Sequence, residues 1–167
     1  MSFDRIAFPF MFQGIRPMVW VSLENAHSPR GQGMVLPALV DTGAVSSMAP
    51  RSVCEMLGHV FDSGIDPSMS GGIGSGRVAT FRHASRLVVL KTPMDDDPPD
   101  PASPVFDPMD VSLRCVDQTL PFVLLGQSDF LNLFIYTQDQ REGWFTLQRR
   151  VTPETVLEGV GHSSNAV

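Results

Sequence analysis

The sequence predicts a mainly β fold built from many short strands. Its 167 residues include 14 glycines and 14 prolines, residue types that favour turns over long helices. Between these residues lie short apolar runs of the length that strands have in globular proteins. Apolar residues make up 43% of the chain and charged residues 18%, which is typical of a globular protein rather than a disordered one. The length suits one domain with a sizeable core.

The predicted elements follow one another along the chain. Two N-terminal strands are separated by a turn at Gln13-Gly14, and a polar hairpin loop at 25–33 precedes the third strand. A short helix is expected over 50–57, because Pro50 suits its first turn and Gly58 its end. A second helix is expected after residue 126, with Ser128 as its cap. The predicted strands cover residues 6–12, 18–23, 34–40, 78–81, 87–90, 111–116, 121–126 and 143–147.

Two segments fall outside this pattern of strands. Residues 92–108 place Asp95-Asp96-Asp97 among several prolines, and such carboxylates suggest a calcium site. No glycine stands at a turning position there, so a solvated, extended loop inserted into the domain is the better interpretation. We therefore expect a single domain over residues 1–151 with a loop insertion at 92–108. A polar C-terminal tail at 152–167 is expected to be partly disordered.

Charge and composition argue against several kinds of partner. The net charge is −6, and no cluster of lysine and arginine offsets it, so we expect no nucleic-acid partner. No apolar run approaches the roughly 18 residues of a membrane-spanning helix, so we expect no membrane partner. The N-terminal residues include neither a basic leader nor a cleavable apolar stretch, and we therefore expect a cytoplasmic protein.

Cysteines and histidines give no sign of a metal or other cofactor. Cys54 and Cys115 are able in principle to pair, but a protein without a secretory signal more often keeps such residues as reduced, semi-buried thiols. Neither cysteine stands in a recognisable nucleophile motif. The four histidines show no metal-ligand spacing, so surface or packing roles are expected for them.

Asp41 is the most informative residue, because it directly follows the apolar run that ends in Val40. A buried aspartate is costly unless its charge is satisfied, so its position needs a structural or chemical reason. Gly43 allows the backbone to fold tightly behind the carboxylate, and Thr42 supplies a hydroxyl for a hydrogen bond. Taken alone, an Asp-Thr-Gly triplet is also typical of a solvated turn. The preceding apolar run and the small Ala44 favour a functional loop.

Residues 121–126 form a second candidate segment. Leu124, Leu125 and Gly126 end a buried apolar strand, and the glycine suits a point where two backbones approach closely. An ordinary core strand followed by a helix is the alternative interpretation.

Residues 69–78 form a third candidate segment, rich in glycine around Ile73. Gly72 and Gly74 flank that apolar side chain, which suits the tip of a mobile β-hairpin. A phosphate-binding loop is the rival hypothesis. It is disfavoured because the segment lacks the Lys-Ser/Thr pair of a nucleotide loop and is followed by strand-like residues.

These three segments together resemble, in order, the retropepsin-like (retroviral-type, single-lobe) aspartic protease family. Residues 38–46 resemble the family's active-site loop, in which alanine often follows Asp-Thr-Gly. Residues 124–126 resemble the strand that runs through that loop, and 72–74 resemble the tip of the flap that closes over bound peptide. The resemblance spans roughly residues 15–148 and implies a closed, orthogonal β-barrel with one or two short helices. The expected helix at 50–57 departs from the simplest family pattern.

The resemblance implies an aspartic endopeptidase that acts on polypeptides, with Asp41 as the catalytic residue and Thr42, Gly43 and Ala44 as the supporting loop. Asp62 also precedes Ser-Gly, but it follows Asp41 too closely for a second lobe of its own, so it is predicted to be a turn residue. One catalytic aspartate per chain then implies a homodimer in which two Asp41 carboxylates activate a water molecule.

Ala44 removes one hydrogen bond to the charged form of this carboxylate pair, so catalysis is expected closer to neutral pH than in pepsin-like enzymes. Two alternatives remain. One is a catalytically silent binding or dimerisation module on the same fold, and the other is an unrelated β-rich domain with a chance motif.

Overall fold

The computed structural model describes residues 5–11, 14–70, 76–93 and 99–150. In this part of the chain there are ten strands and one α-helix. The helix is α1 (Arg51–Met56), and short 3-10 turns lie at Phe61–Ser63 and Leu131–Leu133. The strands are β1 (Arg5–Pro9), β2 (Met18–Asn25), β3 (Met34–Val40), β4 (Met48–Pro50), β5 (Ile65–Ser70), β6 (Val78–Val89), β7 (Met109–Val116), β8 (Val123–Leu125), β9 (Phe134–Asp139) and β10 (Trp144–Arg149).

Six of the strands close into a barrel. They follow the order β2-β3-β8-β4-β7-β6, and β6 pairs back with β2. Most neighbours are antiparallel, but β3 pairs with β8 and β4 with β7 in parallel. β5 lies outside the ring and pairs with the first half of β6 as an antiparallel hairpin. The predicted mainly β class and closed barrel are confirmed.

A second, antiparallel sheet has the order β1-β10-β9. Its apolar face shares one continuous core with the barrel, in which the Phe8 and Phe145 rings stack at 5.3 Å between centroids. The central barrel strands contribute fully buried side chains such as Val21, Leu23 and Leu125. The two sheets therefore stabilise each other through shared apolar burial.

Helix α1 agrees with the sequence-based expectation, because Pro50 directly precedes it and Gly58 follows it with a φ of 82°. The helix expected after residue 126 is wrong: the structure has only the 3-10 turn at Leu131–Leu133, followed by β9. Phe134 and Tyr136 both turn toward the core as β9 pairs with β10, so tertiary pairing overrides a weak local helix signal. In the described ranges no helix has the length and apolarity needed to cross a bilayer.

The predicted loop at 92–108 is only partly solvated. Residues 94–98, which include the three consecutive aspartates, lie outside the described residues. Beyond them, an antiparallel bridge joins Leu90 to Pro104, and Val105 packs against the core. The Phe106 ring lies 5.0 Å from that of Phe134. The expectation of a solvated loop is therefore wrong for the second half of this segment, because Val105 and Phe106 pack against the core.

Cys54 and Cys115 form a disulfide, so the expectation of two reduced thiols is wrong. The parallel pairing of β4 with β7 places Ala49 opposite Cys115, and α1 begins directly after β4. The buried face of this helix therefore brings Cys54 back over β7, and the two Cα atoms lie 6.2 Å apart. Residues 61 positions apart in the chain meet in this way, which their local sequence does not reveal.

Two buried histidines pack against each other between α1 and β6. The rings of His59 and His83 lie 4.6 Å apart, and each residue is more than nine-tenths buried. His59 Nε2 shares a hydrogen bond with Ser85 Oγ at 3.2 Å, and His83 Nε2 lies 3.1 Å from the carbonyl oxygen of Phe61. Burial, together with repulsion from His83 and His27, lowers the pKa of His59 from 6.5 to about 4. This histidine is therefore neutral in the folded protein at neutral pH.

The His59 environment predicts acid destabilisation. Because the folded-state pKa is below the unfolded one, stability is full above about pH 6.5 and falls as the pH drops toward 4, where the folded protein also binds the proton. The loss is on the order of 2–3 kcal/mol in the free energy of unfolding. Urea unfolding of wild type and His59→Asn across this pH range measures it, with His162→Asn in the C-terminal segment as the control. Parallel pH profiles for wild type and His59→Asn would contradict the assignment.

Candidate active site

Asp41 stands at the end of β3, where β3 runs parallel to β8. Val40 is buried and pairs with Leu125, and the Asp41 backbone N–H donates to the Leu125 carbonyl at 3.0 Å. The carboxylate-bearing residue itself is half-buried. Two of the three segments singled out in the sequence, 38–46 and 121–126, therefore meet in the fold.

The turn after Asp41 is held by its own backbone. The Gly43 N–H donates to Asp41 Oδ1 at 2.8 Å, and the Ala44 N–H donates to the Asp41 carbonyl at 3.3 Å. Thr42 and Gly43 are exposed at the tip of this turn. A hydrogen bond to a carboxylate oxygen fixes its orientation, so one oxygen of Asp41 has a defined position at the surface of the turn.

Gly126 lies at a crossing of two backbones. A Cβ atom at this position would lie 2.4 Å from the Ser46 carbonyl carbon and 2.5 Å from its oxygen. No side chain fits there, so the close approach predicted from the sequence is confirmed. Just beyond the crossing, the Gln127 N–H donates to the Ala44 carbonyl at 2.9 Å and the Ser128 N–H to the Val45 carbonyl at 2.8 Å. The segment after β8 thus runs along the Asp41 turn and supports it.

Ser47 and Asp129 complete this support and were missed in the sequence. Ser47 is fully buried, and its Oγ accepts the Gly126 N–H at 3.0 Å. Its own N–H donates to Asp129 Oδ2 at 2.8 Å. The side-chain amide of Gln127 donates to the Thr42 carbonyl. The only sequence signal was a pair of serines close behind the Asp41 turn, and such serines are common in loops.

The structure also places the remaining sequence-predicted residues. β5 and β6 form an antiparallel hairpin whose last described pair is Ser70 with Val78. The predicted tip residues Gly72, Ile73 and Gly74 lie outside the described residues. Asp62 sits in the 3-10 turn between α1 and β5, in agreement with its assignment as a turn residue.

A face of the barrel beside Asp41 carries apolar side chains that the core does not cover. Leu124 is half-buried although Val123 and Leu125 on either side of it are fully buried, so it points away from the core. Its direct pairing partners Leu39 and Met48 are half-buried as well. Paired residues share one face of a sheet, so these three side chains form an accessible apolar strip next to the Asp41 turn. Within the described ranges no cluster of histidine, cysteine or acidic residues is arranged to hold a metal ion.

Comparison with known proteins gives a match in structure but not in sequence. No protein-family model matches the chain, and no curated protein sequence matches it. The chain is similar to the crystal structure of a retropepsin-like aspartic protease from Rickettsia conorii, with a TM-score of 0.54. That similarity covers 86% of this chain and 98% of that one, at 14% sequence identity.

The chain has the retropepsin-like fold. It is also similar to the EIAV protease in complex with the inhibitor HBY-793, with a TM-score of 0.39 and 21% identity over 67% of this chain and 82% of that one. In this retropepsin-like barrel, the Asp-Thr-Gly turn follows β3, the Leu-Leu-Gly segment is β8 and its end, and the glycine-rich segment follows β5.

Proposed function

We propose that the chain is an aspartic endopeptidase that hydrolyses polypeptides as a homodimer. The observation that carries this proposal is the Asp41-Thr42-Gly43 turn at the end of β3, which Leu125 and Gln127 hold by hydrogen bonds in a retropepsin-like barrel. The Gly43 N–H holds one oxygen of the carboxylate, and the segment on either side of Gly126 binds the backbone of residues 41, 42 and 44 through hydrogen bonds.

Each chain supplies one Asp41, so two copies supply the two carboxyl groups that the chemistry requires. In the proposed dimer the two Asp41 carboxyl groups lie close together. Two neighbouring carboxylates do not both ionise readily, so the pair shares one proton. The ionised group takes a proton from water as the water oxygen bonds to the scissile carbonyl carbon. The protonated group polarises the carbonyl oxygen. Return of a proton to the amide nitrogen then allows the C–N bond to break and restores the pair.

The apolar strip formed by Leu39, Met48 and Leu124 supports a peptide rich in apolar side chains as the substrate. An extended peptide lying beside Asp41 would bury apolar side chains against this strip. We further propose that Gly72, Ile73 and Gly74 form a flap that covers the peptide and excludes water from the reaction.

Assembly tests the shared site. We expect a two-chain species by light scattering at micromolar concentration, and cleavage activity per chain that falls on dilution, because each half-site is inactive alone. A tandem variant with two copies joined by a flexible linker is the matched control, because its activity per chain should not depend on concentration.

A strict monomer that cleaves peptide would contradict the shared site. A stable dimer without any cleavage activity would instead favour a binding or dimerisation module on the same fold.

A further inference from the structure

One row of directly paired residues runs across the barrel from β8 to β5. In strand order it consists of Leu124, Met48, Arg114, Arg82 and Ile65. Paired residues point to the same face of a sheet, so both arginines lie on the face that Leu124 shares with the Asp41 turn. The row thus joins the candidate active site to the strand that leads into the glycine-rich segment.

Arg114 is the buried member of this row, with its side chain only 8% exposed. Its Nη1 donates to Thr80 Oγ1 at 2.9 Å and to Ser68 Oγ, and its Nη2 donates to Asp66 Oδ2 at 2.9 Å. Thr80 belongs to β6, whereas Asp66 and Ser68 belong to β5. The guanidinium of a β7 residue therefore reaches across β6 and binds β5.

These contacts occur where the main-chain pairing of β5 is interrupted. The register between β5 and β6 shifts between Ile65 and Ser68. Asp66, inside the shift, has a φ of 52°, a left-handed conformation that aspartate adopts more readily than most residues. Its carboxylate receives Arg114 and also lies 3.1 Å from Arg82 Nε. The ion pair thus fixes β5 at the point where the backbone ladder does not.

The main chain of Arg114 binds the other side of the site. Its N–H donates to the Ser47 carbonyl at 2.9 Å, and Ser47 Oγ accepts the N–H of Gly126. One residue therefore contacts both the base of the β5–β6 hairpin and the segment that supports the Asp41 turn.

Stability alone does not account for this arrangement. A buried arginine loses its hydration, and a pair of well-packed apolar residues often stabilises a fold as well as a buried ion pair does. The Asp66 side chain is 56% exposed, which weakens its attraction to Arg114 further. The contacts define a geometry, because a planar guanidinium with several donors fixes the position of the groups that it binds.

We propose that Arg114 is a positioning residue which, through Asp66, holds the base of the β5–β6 hairpin at a fixed place relative to the Asp41 turn. A peptide bound between hairpin and turn then meets both at once. This inference rests on the proposed function, because it assigns the pair a role in holding substrate.

The substitution Asp66→Asn tests the role with little risk to folding. Asparagine keeps the size and the tolerance for a left-handed conformation but removes the charge. We expect KM for a peptide substrate to rise about fivefold to tenfold with kcat within about twofold, since contacts made equally in ground and transition states are lost. Arg114→Lys keeps the charge but not the set of donors, so an intermediate rise is expected.

Glu24→Gln is the matched control. Glu24 Oε2 on β2 binds Arg86 Nη1 on β6 at 3.0 Å. This change therefore also converts the carboxylate of a carboxylate–arginine ion pair to an amide. That pair lies at the opposite end of β6, where the strand pairs with β2. We expect the melting temperature of Glu24→Gln to fall at least as much as that of Asp66→Asn, while the KM of Glu24→Gln stays at the wild-type value.

Hydrogen exchange without substrate tests directly whether the Arg114–Asp66 pair holds β5 in place. The amides of β5 should exchange faster in Asp66→Asn than in wild type and should be unchanged in Glu24→Gln. The positioning role would be overturned if β5 exchanged at the same rate in wild type and Asp66→Asn, or if KM were unchanged in Asp66→Asn. It would also be overturned if KM rose equally in Glu24→Gln. A wild-type protein that cleaves no peptide would overturn the proposed function instead, whatever the exchange shows.

Discussion

Replacing Asp41 with asparagine is expected to reduce peptide hydrolysis to background. The amide keeps the size of the side chain and an oxygen that accepts the Gly43 N–H, so the turn should keep its shape. It neither takes a proton from water nor shares one with a second Asp41, and loss of general acid–base catalysis typically costs a factor of about 100 to 10,000. Peptide cleavage and thermal melting of the same preparation measure the two effects separately.

Asp62→Asn is the control for this experiment. It makes the same chemical change in an exposed aspartate that precedes Ser-Gly, and its activity should remain near that of wild type. Mixing wild-type and Asp41→Asn chains adds a second test, because mixed dimers would hold one carboxylate and should be inactive. Full activity in Asp41→Asn together with loss of activity in Asp62→Asn would show that the catalytic residue was wrongly assigned.

Breaking the disulfide is expected to cause the largest loss of stability. Cys54 and Cys115 are 61 positions apart, and releasing a loop of that length costs about 4 kcal/mol by the loop-entropy relation. Denaturant unfolding of the wild type with and without a thiol reductant measures the loss. A double variant with alanine at both cysteines is the control, because reductant should not change its stability. Two titratable thiols in the native, unreduced protein would contradict the bond.

The same bond bears on the cellular location expected from the sequence. Disulfides persist in oxidising compartments and are rare in the cytosol, where thiol buffers keep cysteines reduced. In a reducing compartment this protein would therefore lack one of its larger sources of stability. Trapping free thiols at the moment of cell lysis would show which form the cell holds.

Much of the barrel could be predicted from local sequence because its strands carry strong local signals. The predicted limits of the third strand, 34–40, coincide with β3, and Pro50 and Gly58 correctly marked the ends of α1. β4 and β8 have only three residues each, and β4 was missed because so short a strand has no detectable periodicity. β9 is absent from the predicted elements, because the helix expected after residue 126 extends to Phe134, the first residue of β9, and the local sequence does not reveal the pairing with β10.

The candidate site was predictable only where chemistry and backbone shape coincide in one motif. Asp41 and Gly126 each stand out, one as an acid after an apolar run and the other as a glycine ending one. Ser47 and Arg114 carry no such signal, because their importance comes from partners far away in the chain. The disulfide was missed for the same reason. Long-range pairing decides which residues meet, and local sequence does not contain it.

The disulfide also makes residues 54–115 a closed covalent ring. This ring includes the β5–β6 hairpin, all of β6 and nearly all of β7. A single cut anywhere between the two cysteines opens the ring but leaves both fragments attached to each other. An endopeptidase that nicked its own hairpin would therefore migrate as an intact chain on a non-reducing gel and separate into two fragments only after reduction.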